Sequence, residues 1–417
     1  MVLERATGGP GGGPPGTVVL FARANVFFGG GSFLPPHTLL ITNFSTGMKT
    51  YEDDIPDLID DDDIVTPPRI AAKRVGIVQK TWTKVQWWNT VKTLRLTENM
   101  RVLKNGDNHE AREFLKFLLD IGDGSYPTHP DIGTSMVQIP QKYIFESGRE
   151  DSPEKFCDFL QWCYPNLHSP QTDLTEIATK AILAPKNTNV DLLNDEALSR
   201  MYGVEICLLS VDSVEDSNDT TNRADLFPVE FLNSLNIAGM PPHKLRLKIG
   251  IPVILLRNLN PALGLCNGTR LQVQHITQRL LTVKILNGSN EGDITHIPRI
   301  DLIESSGDLP FHLKRRQFPI KVAFAMTINK AQGQSLKQVG IYLPCPVFGH
   351  GQLYVALSRS GNPSKTKIYM PQITGLQGKF EGKEGYYTKN VVYQEVLSTV
   401  HTTNNNPVVT ILGGGGH

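Results

Sequence analysis

Nowhere in its 417 residues does the sequence hold an apolar run approaching the roughly 18 residues that span a bilayer, so no transmembrane helix is expected. The opening stretch, MVLERATGGPGGGPPG, has no basic start followed by an apolar segment, which argues against a secretory signal. Excess charge of either sign is also missing. Lys plus Arg is 41 and Asp plus Glu is 41, so the formal net charge is zero. That excludes a chain that coats nucleic acid by bulk charge; a phosphate-binding surface has to be a local patch. Cysteines are few, an odd five at scattered positions, which argues against a disulfide framework and for a reducing compartment.

What remains is the composition of a globular protein, 40% hydrophobic and 20% charged, and a length that predicts two or three domains. Residues 1–90 stand apart. Gly8 to Gly16 is a Gly/Pro tract that cannot pack a core, and EDDIPDLIDDDD at 52–63 is an acidic block that reads as a solvated loop. Short apolar runs at 17–21 and 38–41 are candidate strands without an identifiable partner. From residue 91 the pattern becomes regular. Val91 to Leu96 alternates as a strand does, and Ala111, Phe114, Leu115, Leu118 and Leu119 make one face of a helix that Gly122 and Gly124 should stop. Ala181 to Ala184, then Pro185, then Val190, Leu193 and Ala197 reads as strand, loop and helix of a parallel α/β sheet. Between 246 and 300, β-rich runs and the turn signals Asn267-Gly268 and Asn287-Gly288 predict a small antiparallel barrel or sandwich. The α/β pattern then resumes, with a strand over 320–326, a loop opening a helix over 329–336, a strand over 339–343, a helix over 352–358 and a strand over 365–370.

Three stretches carry candidate chemistry. AMTINKAQGQS at 325–335 follows a predicted strand, where parallel α/β sheets bind ligands. Thr327, Asn329, Lys330 and Gln332 offer donors and acceptors there, and Gly333 allows a close backbone approach; the plainer reading is a capped helix start. HGQLYVALSR at 350–359 ends in Arg359, whose planar fork suits phosphate oxygens, or which is an ordinary Arg near a helix end. LRLTENMR at 94–101 ends in Arg101, otherwise a surface loop residue. Lys314, Arg315, Arg316 and Lys321 form the densest basic cluster, read equally as a nucleic-acid patch or a charged linker. Cys157, Cys163 and His168 lack a usual zinc spacing and read as free cysteines.

Together these three stretches resemble motifs four, five and six of the Pif (petite integration frequency) family of DNA helicases, the closest branch being that of eukaryotic Helitron transposons. AILAPKN at 181–187, FPVEFLN at 227–233, PPHKLRLK at 241–248, GLCNGTR at 264–270, KRRQFP at 314–319 and TKNVVY at 388–393 extend the resemblance, which covers 91–400 in order. It implies an α/β fold: a RecA-like parallel-sheet domain over 91–204 and 319–400, interrupted at 205–318 by an insertion with an SH3-like β barrel (core 246–300). Residues 1–90 would be a divergent, poorly ordered segment and 401–417 a disordered tail. It also implies ATP and Mg2+ as cofactors, single-stranded DNA as partner, and a nuclear location with a mitochondrial one as alternative; no membrane is expected from the sequence, and no stable protein partner is inferable.

By the same resemblance Arg359 and Arg101 would be arginine fingers on the γ-phosphate, Gln332 and Gly333 would couple nucleotide to DNA, and Thr327, Asn329, Lys330, Pro185 and Asn187 would line the DNA strand. The family's phosphate loop, G-x-x-x-x-G-K-[ST], has no counterpart in the sequence; Gly47-Met-Lys-Thr50 has the wrong spacing. An apolar strand ending in Asp-Glu, which would hold Mg2+, is likewise missing around the acids at 60–63. The expectation is therefore the C-terminal motor half of a 5′-to-3′ helicase, incomplete alone, with repair, recombination, telomere maintenance or Helitron transposition as its setting. The alternative is a non-catalytic module that binds single-stranded DNA or a protein.

Overall fold

The computed structural model describes residues 109–147, 154–215, 227–304, 309, 311–371 and 375–394, together with the backbone of three strands, Thr17–Val18, Thr38–Asn43 and Lys92–Arg95. Those three strands pair antiparallel: Thr17 and Val18 with Asn43 and Thr42, and Thr38 to Ile41 with Arg95 to Lys92. The strand expected at 91–96 thus finds its partner in the run at 38–41. The Gly/Pro tract, the acidic block, Arg101 and the tail lie outside the described residues. The chain forms two compact units, 1–145 with 331–335 and 341–417, and 146–330 with 336–340, a division that runs through the segments assigned to one RecA-like domain.

The unit built on 146–330 is organised by a parallel strand pair. Lys180–Ala184 is buried at all five positions, as expected of a strand covered on both faces. It pairs in parallel with Ala325–Thr327, with Ile182 opposite Ala325 and Ala184 opposite Thr327. In the sheet, Lys180–Ala184 lies between Ala325–Thr327 on its outer side and the strand that begins at Gln338 on the other. The helix Glu154–Cys163 comes very close to this sheet: a Cβ on Gly340 would sit 2.4 Å from Cys163 Sγ and 2.8 Å from Phe159 Cζ, so only glycine fits there. After the strand Lys180–Ala184 the chain turns at Pro185 and Lys186 into the helix Asn187–Arg200, which buries Val190, Leu193, Asn194 and Ala197.

The β-rich region forms a five-stranded antiparallel sheet in the order 294–298, 280–285, 270–276, 252–255, 320–322. Gly268 (φ 88°) and Gly288 (φ 96°) hold the turns anticipated from Asn-Gly. The expected single strand over 320–326 is two. Ile320–Val322 pairs with Val253 to Leu255, and Ala325–Thr327 joins the parallel sheet. The chain changes sheets at the fully buried Ala323 and Phe324: Ala323 N–H donates to Pro252 O (2.9 Å) and Phe324 O accepts from Ile182 N–H (2.9 Å). Arg270 ties the two sheets, donating through Nη2 to Lys180 O (2.9 Å) and Ala323 O (3.3 Å). A third sheet, ordered 300–303, 312–317, 211–215, has its own small core of Leu232, Met240, Leu302, Phe311 and Leu313.

In the other unit the helix His109–Asp123 runs through Gly122, where the expected stop does not occur. Gly122 instead lets the helix lie against Tyr354, whose Cδ2 would be 3.0 Å from an added Cβ; Gly124, at φ 71°, ends the helix. Phe114 and Phe117 pack on Tyr143 with ring centroids 5.3 and 5.4 Å apart. A short helix, Gln352–Leu357, is buried at every position. No described helix is long and apolar enough to cross a membrane.

Candidate nucleic-acid interface

Because Lys180–Ala184 and Ala325–Thr327 run parallel and in register, the loops that leave them emerge at one end of the sheet. One loop is Pro185-Lys186 leading into Asn187, the first helical residue; the other is 328–330. They are joined by a backbone bond from Ile328 N–H to Ala184 O (3.0 Å). Five residues singled out in the sequence therefore converge: Pro185, Asn187, Thr327, Asn329 and Lys330. Their exposures differ. Thr327 is 1% exposed, and its Oγ1 accepts from Lys330 N–H (3.4 Å), so it shapes the loop from beneath. Pro185 is also buried, Asn187 and Asn329 are half-buried, and Lys330 is exposed. Lys186, passed over in the sequence reading, sits between Pro185 and Asn187 at the start of the helix and supplies a second cation.

The segment after Lys330 is not a helix. Residues 328–333 are turns, closed by Gln334 N–H on Ala331 O (3.1 Å), and Gly333 takes φ 78° with open space around the position of a Cβ. The sequence from Asn329 to Leu336 offers only Ala331 and Leu336 as apolar residues, too few for a packed helical face, and Gly333 costs helix stability. Gln332 Oε1 is buried without a hydrogen-bond partner.

Arg359 lies just beyond the helix Gln352–Leu357 and is 1% exposed. Its guanidinium points inward. Nε donates to Val355 O (2.7 Å), Nη1 to Ala331 O and Gln334 O (3.3 Å each), and Nη2 to Ser358 Oγ (2.7 Å). The structure thus brings Arg359 onto the turn that carries Gln332 and Gly333, with its fork bonded to backbone carbonyls. His350 and Gln352 are structural: His350 Nδ1 accepts from Tyr393 N–H (2.9 Å), and Gln352 Oε1 accepts from Phe348 and Gly349 N–H (3.0 and 3.2 Å).

The basic cluster is not a free patch. Arg315 is fully buried in a two-pronged pair with the equally buried Asp212 (Nη2 to Oδ2 2.7 Å, Nε to both oxygens 3.1 Å). It also donates to Pro241 O, Leu232 O and Leu235 O. Lys314 and Arg316 share Asp301 (3.3 and 3.5 Å), and Lys321 pairs with Asp191 (2.7 Å). Alternation along the strand His312–Gln317 puts Arg315 inside and its neighbours outside.

The cysteines are free. Burial pushes the Cys163 thiol well up, and Cys157 Sγ accepts from Arg200 Nη2 (2.8 Å). Among the described residues no group of three or more His, Cys, Asp or Glu could hold a metal ion.

Comparison with known proteins bears on this arrangement. The family described as "DNA helicase Pif1, 2B domain" matches residues 230–276, and that described as "PIF1-like helicase" matches 60–131. The second match begins within the segment read from sequence as divergent. The chain is 31% identical over 224 residues to the ATP-dependent DNA helicase Pif1 of Campylobacter jejuni, covering 51% of this chain and 46% of that one. It is 38% identical over 200 residues to ATP-dependent DNA helicase PIF1 of Xenopus laevis, covering 46% and 28%. Among solved structures, Pif1 helicase from Candida albicans superposes with a TM-score of 0.42 at 19% identity, covering 70% of this chain and 58% of that one. The matched stretches span less than half the length of these two sequence relatives. Family models and sequence relatives alike place the similarity of these stretches with Pif1-like DNA helicases.

Proposed function

We propose that the chain grips single-stranded DNA with the loops at 185–187 and 327–330, as one half of an ATP-driven motor that unwinds DNA from 5′ to 3′. The observation that carries this reading is the parallel register of Ala184 and Thr327, which supports placing both loops on one strand-binding face. Lys330 and Lys186 would meet phosphates, and Asn187 and Asn329 would meet sugar or phosphate oxygens, contacts that hold a strand without reading its sequence. Arg359 and Arg101 would act on the γ-phosphate of an ATP held elsewhere. For Arg359 this means exchanging backbone carbonyls for phosphate oxygens, a stronger charge-assisted bond. ATP with Mg2+ would supply the phosphoryl chemistry. The antiparallel sheet at 252–322 would be the SH3-like accessory barrel, and the setting would be nuclear DNA repair, recombination, telomere maintenance or Helitron transposition.

The test measures oligo-dT binding by the purified chain across a salt series, with DNA-stimulated ATP hydrolysis alongside for wild type and Arg359→Ala. The expected result is binding that weakens steeply with salt, without hydrolysis above background. Failure to bind oligo-dT overturns the DNA-gripping reading. Hydrolysis that Arg359→Ala abolishes overturns the half-motor and establishes a complete nucleotide site. The absent G-x-x-x-x-G-K-[ST] string favours a second reading, a binding module that holds DNA without turnover. It shares the first result and differs in that no added nucleotide changes oligo-dT affinity.

A further inference from the structure

Ala325–Thr327 is the outermost strand of its sheet. Its inner edge is bonded to Lys180–Ala184; Ile182 N–H, for instance, donates to Phe324 O (2.9 Å). The backbone of Ala325 faces the other way, and an unpaired edge is costly to bury. Asn194, from the helix Asn187–Arg200, fills that role. Its Nδ2 donates to Ala325 O (3.1 Å), and its Oδ1 accepts from Ala325 N–H (2.8 Å). One planar side-chain amide thus satisfies both groups of the edge residue, as a further strand would. Asn194 is 5% exposed, in the middle of an otherwise apolar helical face.

The same helix starts at Asn187, directly after one candidate loop, and the clamped strand ends at Thr327, directly before the other. We infer that Asn194 is a positioning residue that sets the spacing of the two loops along a DNA strand. The inference rests on the proposed function of those loops. The helix also buries Val190, Leu193 and Ala197 and pairs Asp191 with Lys321 (2.7 Å), but apolar contacts and a long lysine side chain tolerate sliding; a two-bond amide clamp does not, because a small axial shift breaks both bonds together. The phosphates of a single strand are regularly spaced, so two loops grip them only if their separation is held.

The experiment compares Asn194→Leu and Asn194→Asp with Val283→Ala in the full chain. Asn194→Leu removes both bonds at similar volume. Asn194→Asp keeps the acceptor, loses the donor to Ala325 O, and serves where the leucine variant does not fold. Val283, fully buried in the antiparallel sheet, provides a variant destabilised away from the loops. Two readouts are taken: oligo-dT affinity, and hydrogen exchange of the Ile328 amide that bridges the loops. The expected result is an oligo-dT Kd raised about tenfold by either Asn194 variant, the order of one lost base or phosphate contact, with Val283→Ala binding as wild type. Ile328 should exchange faster in the Asn194 variants alone. Wild-type affinity in both Asn194 variants, or an equal loss in Val283→Ala, overturns the inference. If wild type itself does not bind oligo-dT, the proposed function fails, and unchanged Ile328 exchange in the Asn194 variants then overturns the clamp separately.

Discussion

Two regions of this protein compete for the role of phosphate contact, and they differ in how the fold places their cations. The cluster at 314–321 holds four cations in eight residues, more than any other stretch singled out in the sequence. Every one of them meets a carboxylate: Arg315 is consumed by Asp212 in the interior, and Lys314, Arg316 and Lys321 lie on Asp301 and Asp191. The loops at 185–187 and 327–330 hold only Lys186 and Lys330, yet the parallel strand pair delivers both loops to one place, with neutral polar side chains between the cations. Charge density along a sequence therefore locates salt bridges as readily as it locates phosphates. The geometry that separates the cases, which strands are neighbours and which way alternate residues point, comes from the fold.

The comparison is broken most forcefully at Arg315. Arg315→Ala leaves Asp212 buried and uncompensated, which should cost about 3–5 kcal/mol, read from the shift in the urea midpoint. A surface role for Arg315 would show instead as lost DNA affinity at unchanged stability. Next comes Lys330→Ala. As a phosphate contact on a single strand, Lys330 should account for about 0.7 in the slope of log affinity against log salt, with a several-fold weaker Kd at low salt. Oligo-dT titrations at four salt concentrations measure both; an unchanged slope removes Lys330 from the interface. Smaller still is the double variant Lys314→Ala with Arg316→Ala. Its pairs with Asp301 are partly exposed, so stability should change by about 1 kcal/mol or less, and the salt slope should not move. A slope reduced as much as in Lys330→Ala would return the cluster to the DNA surface.

Much of the architecture is legible in the sequence, because it is written in local periodicity. Ala111 to Leu119 announces a helix, Ala181 to Ala184 a buried strand, and Asn267-Gly268 and Asn287-Gly288 their turns. The readings that fail depend on contacts distant in sequence. The run 320–326 looks like one strand, since nothing local reveals that Ile320 faces Leu255 and Ala325 faces Ile182. Gly122 looks like a stop until Tyr354 is seen against it. Of the candidate site, the residue types were readable, but Thr327 and Pro185 could not be told from exposed residues. Arg359 gave no sign that its fork would close on Ala331 and Gln334. Asn194 left one trace, a polar residue on the face of Val190, Leu193 and Ala197.

The subtlest difference between the two regions is in their response to pH. The buried Arg315 pair does not end at Asp212. Ser210 Oγ lies 2.6 Å from Asp212 Oδ1 and 2.8 Å from His243 Nδ1, so the network reaches a half-buried imidazole. Burial lowers the His243 pKa from its ordinary 6.5; Arg315 and Lys244 lower it further, and Asp212 opposes them. A base whose folded pKa is depressed binds its proton more readily when unfolded. Its contribution to stability is complete above the unfolded pKa and is lost as pH falls from there through the folded value. The urea midpoint of wild type should therefore drop more between about pH 7 and pH 5 than that of His243→Gln, which cannot titrate. The loops at 185–187 and 327–330 contain no histidine, so oligo-dT affinity should stay level over the same range once unfolding is corrected for. Equal midpoint shifts in the two proteins would remove His243 from the network's energetics and leave Arg315 and Asp212 as a closed pair.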